Sequence, residues 1–370
     1  MLNRMQRLGF GWAVLAMFMV TPGSAADAPL IDQLRTAWQK QQAGVHSFVV
    51  EWDEQRTIPK GMAGGTDKQG VRLPLEDTTN TIRYRMVGSR NRVRLERSGI
   101  DFDSDLGAFI DKQFVRTFDT DERREIFRDD RQGGGRSAGF IHNGHFFDDG
   151  SYLTIQPVTY SFRPLSTELG GIDLATYTLT EQRGSVNGIA CHVLERPHGP
   201  RGVDRLWLAQ ETGFRVLRRQ LGIAGRPAEE LTIGYKQHPG TGWVCSEWTY
   251  LMRSQGDVPF QTCTAKVTDL RINEPVDESA FRYQFPRGTI VNYEGTNNYA
   301  IARADGSLRA VTAGERAAGI SNETLLKTAP LPEAIVPPQR RSYTFIVLVA
   351  LGGIGLISWV GRLVLRRRSE

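Results

Sequence analysis

The side chains best equipped for chemistry in this 370-residue chain are three cysteines, the pair His142 and His145, and the acidic run Asp101-Phe-Asp-Ser-Asp105. An odd number of cysteines leaves at least one unpaired in an oxidising compartment. Cys245 and Cys263 fall on the two arms of one predicted hairpin. With its turn centred near Gly256, Cys245 faces Val267 and Cys263 faces Thr249, a register too far apart for a bridge. Cys191 shares an apolar strand face with Ile189 and Val193. All three are expected as buried free thiols. His142-Asn-Gly-His145 has the spacing of a metal pair, but no third ligand is near in sequence, and Gly144 favours a turn over a rigid helix face. The acidic run begins like a calcium loop. Its glycine, Gly107, comes one position late, and Lys112 stands where the closing glutamate belongs, so a solvated acidic turn is expected. No serine sits in a nucleophile elbow, no glycine-rich phosphate loop follows a strand, and no zinc-protease helix motif occurs. The expectation is a protein with no catalytic residue, no metal and no cofactor. Distant carboxylates brought together by a β fold are the remaining route to an enzyme.

These residues sit in a pattern that is mostly strand. Asp27 to Gln42 can form a helix, with Leu30, Leu34 and Trp38 on one stripe. After Gly44 the period changes to two. Phe48, Val50 and Trp52 alternate with Val49, Glu51 and Asp53; Ile82, Tyr84 and Met86 alternate with Arg83 and Arg85; Val93 and Leu95 alternate with arginines and Glu96. Such alternation marks antiparallel strands, apolar on one face and arginine-rich on the other. Pro59 to Asn80 reads as a long, mobile loop. Phe114 to Phe127 reads as two strands around Asp119–Glu122, and Phe140 to Leu165 as a helix or lid. A meander follows, with strands at Thr176–Gln182, Ile189–Glu195, Val203–Ala209, Phe214–Leu221, Glu230–Lys236, Trp243–Arg253 and Phe260–Arg271, separated by Gly- and Asn-containing turns. After Val291 the strand signal fades into a small hairpin or helix and then a Pro-containing linker.

Composition limits the class. Hydrophobic residues at 40% and charged residues at 24% are globular values, which argues against a disordered or fibrous chain. The net charge of +5 comes from the two ends: Arg4 and Arg7 at one, and Arg362 with Arg366-Arg367-Arg368 at the other. The body between them is close to neutral, so no nucleic-acid partner is expected. Arg4 and Arg7 precede an uncharged run from Leu8 to Val20 and small residues up to Ala26, the layout of a cleaved signal peptide. Tyr343 to Gly361 carries no charge and precedes the basic tail, the layout of a single membrane span with its positive end in the cytoplasm. The expected organisation is a signal peptide at 1–26, a β domain at 27–291, a linker at 292–341, a transmembrane helix at 342–362 and a cytoplasmic tail at 363–370. This places the protein in the cell inner membrane with its folded domain outside the cytoplasm.

The meander also carries ordered local motifs. Val186-Asn-Gly-Ile-Ala-Cys-His-Val-Leu-Glu195 precedes Arg205-Leu-Trp-Leu-Ala-Gln-Glu-Thr-Gly-Phe-Arg-Val-Leu-Arg218. Leu231–Tyr235, Gly242-Trp243, Val267–Asn273 and the stretch from Glu278 to Thr289 follow in order. In that order they resemble the outer-membrane lipoprotein-sorting (LolA-like) superfamily, which includes lipoprotein carriers and periplasmic regulators of the RseB/MucB type. The resemblance spans about residues 30–291. It implies a mainly β (α+β) fold: an unclosed, strongly curved antiparallel half-barrel with helices on its concave face. It also implies non-catalytic binding of lipid acyl chains or a lipoprotein there. The lining residues would be Trp38, Phe48, Val50, Trp52, Ile82, Tyr84, Met86, Leu231, Ile233, Tyr235 and Trp248. The competing expectation is that these residues pack on the Trp38 helix and leave no groove. Two departures stand out: the carriers are soluble whereas this chain has a predicted anchor, and the residues after Val291 are too few for the regulators' second domain. An envelope-stress sensor binding a partner membrane protein is the alternative function, and an envelope enzyme the third.

Overall fold

The computed structural model describes residues 28–62, 70–103, 108–120, 122–129, 136–143, 146, 155–199, 202–223, 226–253 and 259–328. The predicted signal peptide, transmembrane helix and cytoplasmic tail lie outside the described residues, as do His145, Asp105, Gly107 and the Pro-rich end of the linker. No helix among the described residues is long and apolar enough to cross a membrane.

Helix α1 (Ala28–Ala43) leads into six strands: β1 (Ser47–Ile58), β2 (Thr78–Ser89), β3 (Arg92–Asp103), β4 (Ala108–Asp119), β5 (Glu122–Asp129) and β6 (Arg136–Asn143). Helix α2 (Gln156–Phe162) then precedes seven more: β7 (Thr178–Val186), β8 (Ile189–His198), β9 (Gly202–Ala209), β10 (Arg215–Ile223), β11 (Arg226–His238), β12 (Gly242–Arg253) and β13 (Pro259–Ile272). The chain closes with β14 (Ile290–Tyr293), β15 (Tyr299–Ala302), β16 (Leu308–Val311), α3 (Ala313–Ala317) and α4 (Asn322–Lys327). All strands belong to one 16-stranded sheet in the order β16-β15-β14-β6-β5-β4-β3-β2-β1-β13-β12-β11-β10-β9-β8-β7. Two meanders therefore meet where β13 pairs antiparallel with β1, in a register that sets Val50 beside Leu270 and, past a bulge, Trp52 beside Val267. The sheet stays unclosed, with β7 and β16 as its edges.

The period-two pattern decides which face is buried. From β1 and β2, Phe48, Val50, Trp52, Ile82, Tyr84 and Met86 all point inward against α1 and α2. Close approach is required at Gly88: it pairs with Phe48, and a Cβ there would overlap the Phe48 ring. The opposite face is where the arginine-rich stripe finds its use. After β13 the chain crosses the outer face toward β14, and Arg94 donates to the Ala280 carbonyl at 3.1 Å while Arg92 lies over the Phe281 ring. Val49 and Val87 pack with Val276 and Phe281 beneath that crossing.

Residues 292–328 hold more structure than the small hairpin or helix expected at the head of the linker. They hold the end of β14 together with β15, β16, α3 and α4, and β14 pairs parallel with β6. A second apolar core of Ile126, Ile141, Phe285, Val291 and Ala300 explains why this segment docks. Arg309 is buried and pairs with Glu315, whose carboxylate also closes a capping box at Thr312. The hydrogen bonds from Arg309 and the Thr312 backbone hold Glu315 well below the usual carboxylate range, at about 2.

Candidate functional site

The inner face of the sheet is the site the residues build. Of the predicted lining residues, Trp38, Phe48, Val50, Trp52, Ile82, Tyr84, Met86, Leu231, Ile233 and Trp248 are all buried in one apolar core. Trp52 stacks on Tyr84 with ring centroids 4.9 Å apart and meets Trp248 edge-on at 5.5 Å. Phe48 stacks on Phe162 of α2 at 4.7 Å. Tyr235 behaves differently. A bulge between Gly234 and Tyr235 leaves it half-buried, with its hydroxyl donating to the Val216 carbonyl at 3.1 Å. It bridges the inner core to a smaller outer cluster of Val186, Cys191, Ala209 and Leu217.

Two elements cover this floor. Trp38 anchors α1 by donating its indole N–H to the Phe214 carbonyl at 2.9 Å. Helix α2 spans 7 residues and buries Pro157, Val158, Thr159, Tyr160, Ser161 and Phe162. A proline in its first turn suits a helix start, where the missing N–H is not needed. Residues of both helices pack on this floor. Some polar atoms are left unserved: the indole nitrogens of Trp52 and Trp248, Thr159 Oγ1 and Glu54 Oε2 are buried without a hydrogen-bond partner among the described residues. Each such group costs on the order of 1–3 kcal/mol.

Charge surrounds the apolar floor in three buried networks that the sequence reading did not single out. Asp204 is fully buried and receives Arg219 through both oxygens, at 2.9 and 2.7 Å, with Arg196 and the Tyr177 hydroxyl added at Oδ2. Burial alone would raise its pKa, but the Arg219 charge and the hydrogen bonds from Arg219 and Tyr177 hold it below the usual range. Glu54 accepts from Arg56 at 2.8 Å, and Arg56 also reaches Asp101, which is paired with Arg97. The predicted acidic turn thus begins as the end of β3, and Asp101 is held low by Arg97 and Arg56 against the opposing effect of burial. Arg116 and Arg123 flank Glu125, and His142 contacts Glu294. Asp204 and Asp101, held low inside arginine pairs, are poor proton-transfer groups near neutral pH. No group of three metal-ligating side chains occurs among the described residues.

The cysteines are all buried and free. Cys263 pairs with Tyr250, one position from the expected Thr249, because a bulge between Met252 and Arg253 adds a residue to the hairpin. Burial pushes the Cys245 thiol up to about 11 and the Cys263 thiol up to about 12. A thiolate is the reactive form. Iodoacetamide at pH 8 should therefore leave both unmodified in the native protein and label them after denaturation, read by intact mass. Rapid native labelling would show that the core opens.

No known family's sequence profile matches the chain, and no curated protein sequence does. Solved structures do resemble it. A DUF1329 family protein from Desulfovibrio piger is 13% identical with a TM-score of 0.42, over 69% of this chain and 96% of that one. A LolA superfamily protein from Nitrosomonas europaea is 11% identical with a TM-score of 0.37, over 66% of this chain and 96% of that one. The Pseudomonas aeruginosa MucA/MucB complex matches at 12% identity and a TM-score of 0.17, over 75% of this chain and 72% of that one. At these identities and TM-scores the likeness assigns no role to this chain.

Proposed function

We propose that this chain is a non-catalytic binding protein of the bacterial cell envelope that takes an acyl chain, carried by a lipid or a lipidated protein, onto the inner face of its sheet. The observation that carries the reading is the apolar floor around Trp52, roofed by a helix of only 7 residues. A helix that short has no stability of its own and holds its place by packing. An alkyl chain could replace Val158, Tyr160 and Phe162 on that floor at about 0.8 kcal/mol per buried methylene. The predicted signal peptide and C-terminal span would fix the domain at the outer face of the inner membrane, so that it holds cargo locally instead of carrying it across the envelope.

The test is chemical. Residues 27–341, exported in a bacterial host, are extracted with organic solvent, and the co-purified lipid is identified by mass spectrometry. Stoichiometric acyl lipid that is lost in Trp52→Asp, with circular dichroism unchanged, is the expected result. A lipid-free protein with a cooperative melt would defeat the reading.

The second reading, an interaction module for a partner membrane protein, draws on β7. It is a sheet edge whose residues are mostly exposed, and its pairing with β8 is broken between Leu179 and Arg183. An open edge of this kind can accept a strand from another chain.

A further inference from the structure

Arg163 follows α2 directly and is 3% exposed, yet among the described residues no carboxylate touches it. Its Nε donates to the Arg90 carbonyl at 2.9 Å, Nη1 to the Phe162 carbonyl at 2.8 Å, and Nη2 to the His46 carbonyl at 3.4 Å. Of the other buried arginines, Arg116, Arg123, Arg219 and Arg309 each have an acidic partner, and Arg215 has none among the described residues. Burial without a counter-charge lowers the Arg163 pKa to about 10. A guanidinium has five N–H groups, and three carbonyls leave two of them unused.

Beside Arg163 lies a cavity of about 320 Å³, lined by Gln39, Gln42, His46, Arg90, Asn91 and Arg163 together with Ala43, Val45 and Leu165. Among the described residues no acid lines it. Arg90 and Asn91 form the β2–β3 turn, with Arg90 at φ 53°, and both side chains are exposed. An adjoining cavity shares His46 and Arg90 but carries Glu274 and Glu278, which places the excess positive charge on the Arg163 side. The cleft also borders the apolar core: the Arg163 guanidinium lies over the Phe48 ring, 5.6 Å from its centroid, and Val45 belongs to that core.

We propose that this cleft binds a phosphate group, with Arg163 and Arg90 supplying charge and Gln39, Gln42 and Asn91 supplying amide donors. A water takes about 30 Å³, so the space admits a phosphate with part of its hydration shell. Charge-assisted bonds to a partly buried oxyanion are the strong class of hydrogen bond. The phosphate can be free or can be the headgroup of a phospholipid whose chains run toward Phe48. The site does not require the acyl reading: loss of phosphate binding would leave the lipid-extraction result untouched.

The test is calorimetric titration of the full-length protein in non-ionic detergent. The titrants are inorganic phosphate, dihexanoyl phosphatidic acid, and sodium chloride at matched ionic strength. Two variants are compared. Arg90→Asn keeps a residue that tolerates positive φ and removes the charge. Gln39→Glu adds a negative charge on the exposed face of α1 and keeps helix propensity. Each should weaken phosphate binding about tenfold or more, the effect of losing one charge-assisted contact, with the thermal melt unchanged. Phosphatidic acid binding at least about tenfold tighter than inorganic phosphate identifies the headgroup as the natural source. Equal affinities identify free phosphate, and both outcomes support the cleft. No heat beyond the chloride control, or equal binding in both variants, overturns it.

Discussion

Asp204→Ala is expected to destabilise the protein by about 3–5 kcal/mol, the cost of removing one partner from a buried ion pair and leaving the other charge behind. Here the carboxylate serves two guanidiniums and a phenol at once. Arg219 lies within the core, and Arg196 and Tyr177 meet the same Oδ2 at 3.0 and 2.8 Å. Without Asp204, the hydrogen bonds left to Arg219 among the described residues are those to Gln156 and the Tyr160 hydroxyl, at 2.5 and 3.2 Å, and neither partner carries charge. Both of those partners are on α2, so the roof over the apolar floor should loosen with the network. The pH dependence has a definite sign. The folded-state pKa of Asp204 lies below its usual value, held there chiefly by Arg219 against the opposing effect of burial. Its stabilisation is therefore complete above the unfolded-state pKa of about 3.9 and is lost as pH falls through the lower folded value. Urea unfolding of wild type and Asp204→Ala at pH 7 and at successive points below pH 4 should show the gap narrowing on acidification. A gap under about 1 kcal/mol at pH 7 would mean the network is solvated. A gap that does not change with pH would assign the loss to packing.

The strands were legible because their faces differ. Wherever one side meets the core and the other meets water, alternation survives in the sequence, and the predicted strand Trp243–Arg253 appears as Gly242–Arg253. The strand residues of the inner-face lining followed from the same parity, which is why nine of the ten fall in one core with Trp38 of α1, and the exception, Tyr235, follows a bulge that resets it. Bulges add a residue without changing composition, so they are invisible until the ladder is seen; the one near Arg253 shifted Cys263 by one position. Strands β15 and β16 fall where a small hairpin or helix was expected, and their bounds were not legible for a different reason. Each has 4 residues, too few for alternation to show, although Asp305-Gly306 between them is a hairpin signal that could have been used. The ion networks were illegible because Asp204 and Arg219 lie on different strands, and Glu54 meets Asp101 only through Arg56. Local patterning carries no information about such pairs. The linker boundary failed through amphipathic docking: Phe285, Val291 and Ala300 are too widely spaced in sequence to announce the second core they share with Ile126 and Ile141.

Locking α2 to the sheet is expected to stop acyl uptake. Ser161 sits on α2 with its Oγ accepting the Cys245 backbone N–H at 3.1 Å, and the Cys245 thiol is lowered by a hydrogen bond from the same hydroxyl, though burial outweighs it. Ser161→Cys would place a second sulfur beside a native one, across the gap that must widen if α2 is to leave the floor. A bridge there adds about 2–4 kcal/mol to the cost of opening, through the closed loop it imposes. At 1.4 kcal/mol per factor of ten, uptake of a fluorescent fatty acid should fall by at least tenfold in the oxidised variant and return when dithiothreitol reduces the bridge. Intact mass before and after alkylation reports whether the bridge formed. Phe162→Ala pushes in the opposite direction. Its ring is fully buried against Phe48, so truncation should lower global stability by about 3–5 kcal/mol. The same change weakens the hold of α2 and should raise uptake, since less free energy separates the filled and open floors. Reduced stability with increased uptake is a combination that simple damage to a binding surface does not give. If the oxidised Ser161→Cys protein takes up fatty acid at the wild-type rate, the ligand does not enter beneath α2, and the floor around Trp52 is ordinary core.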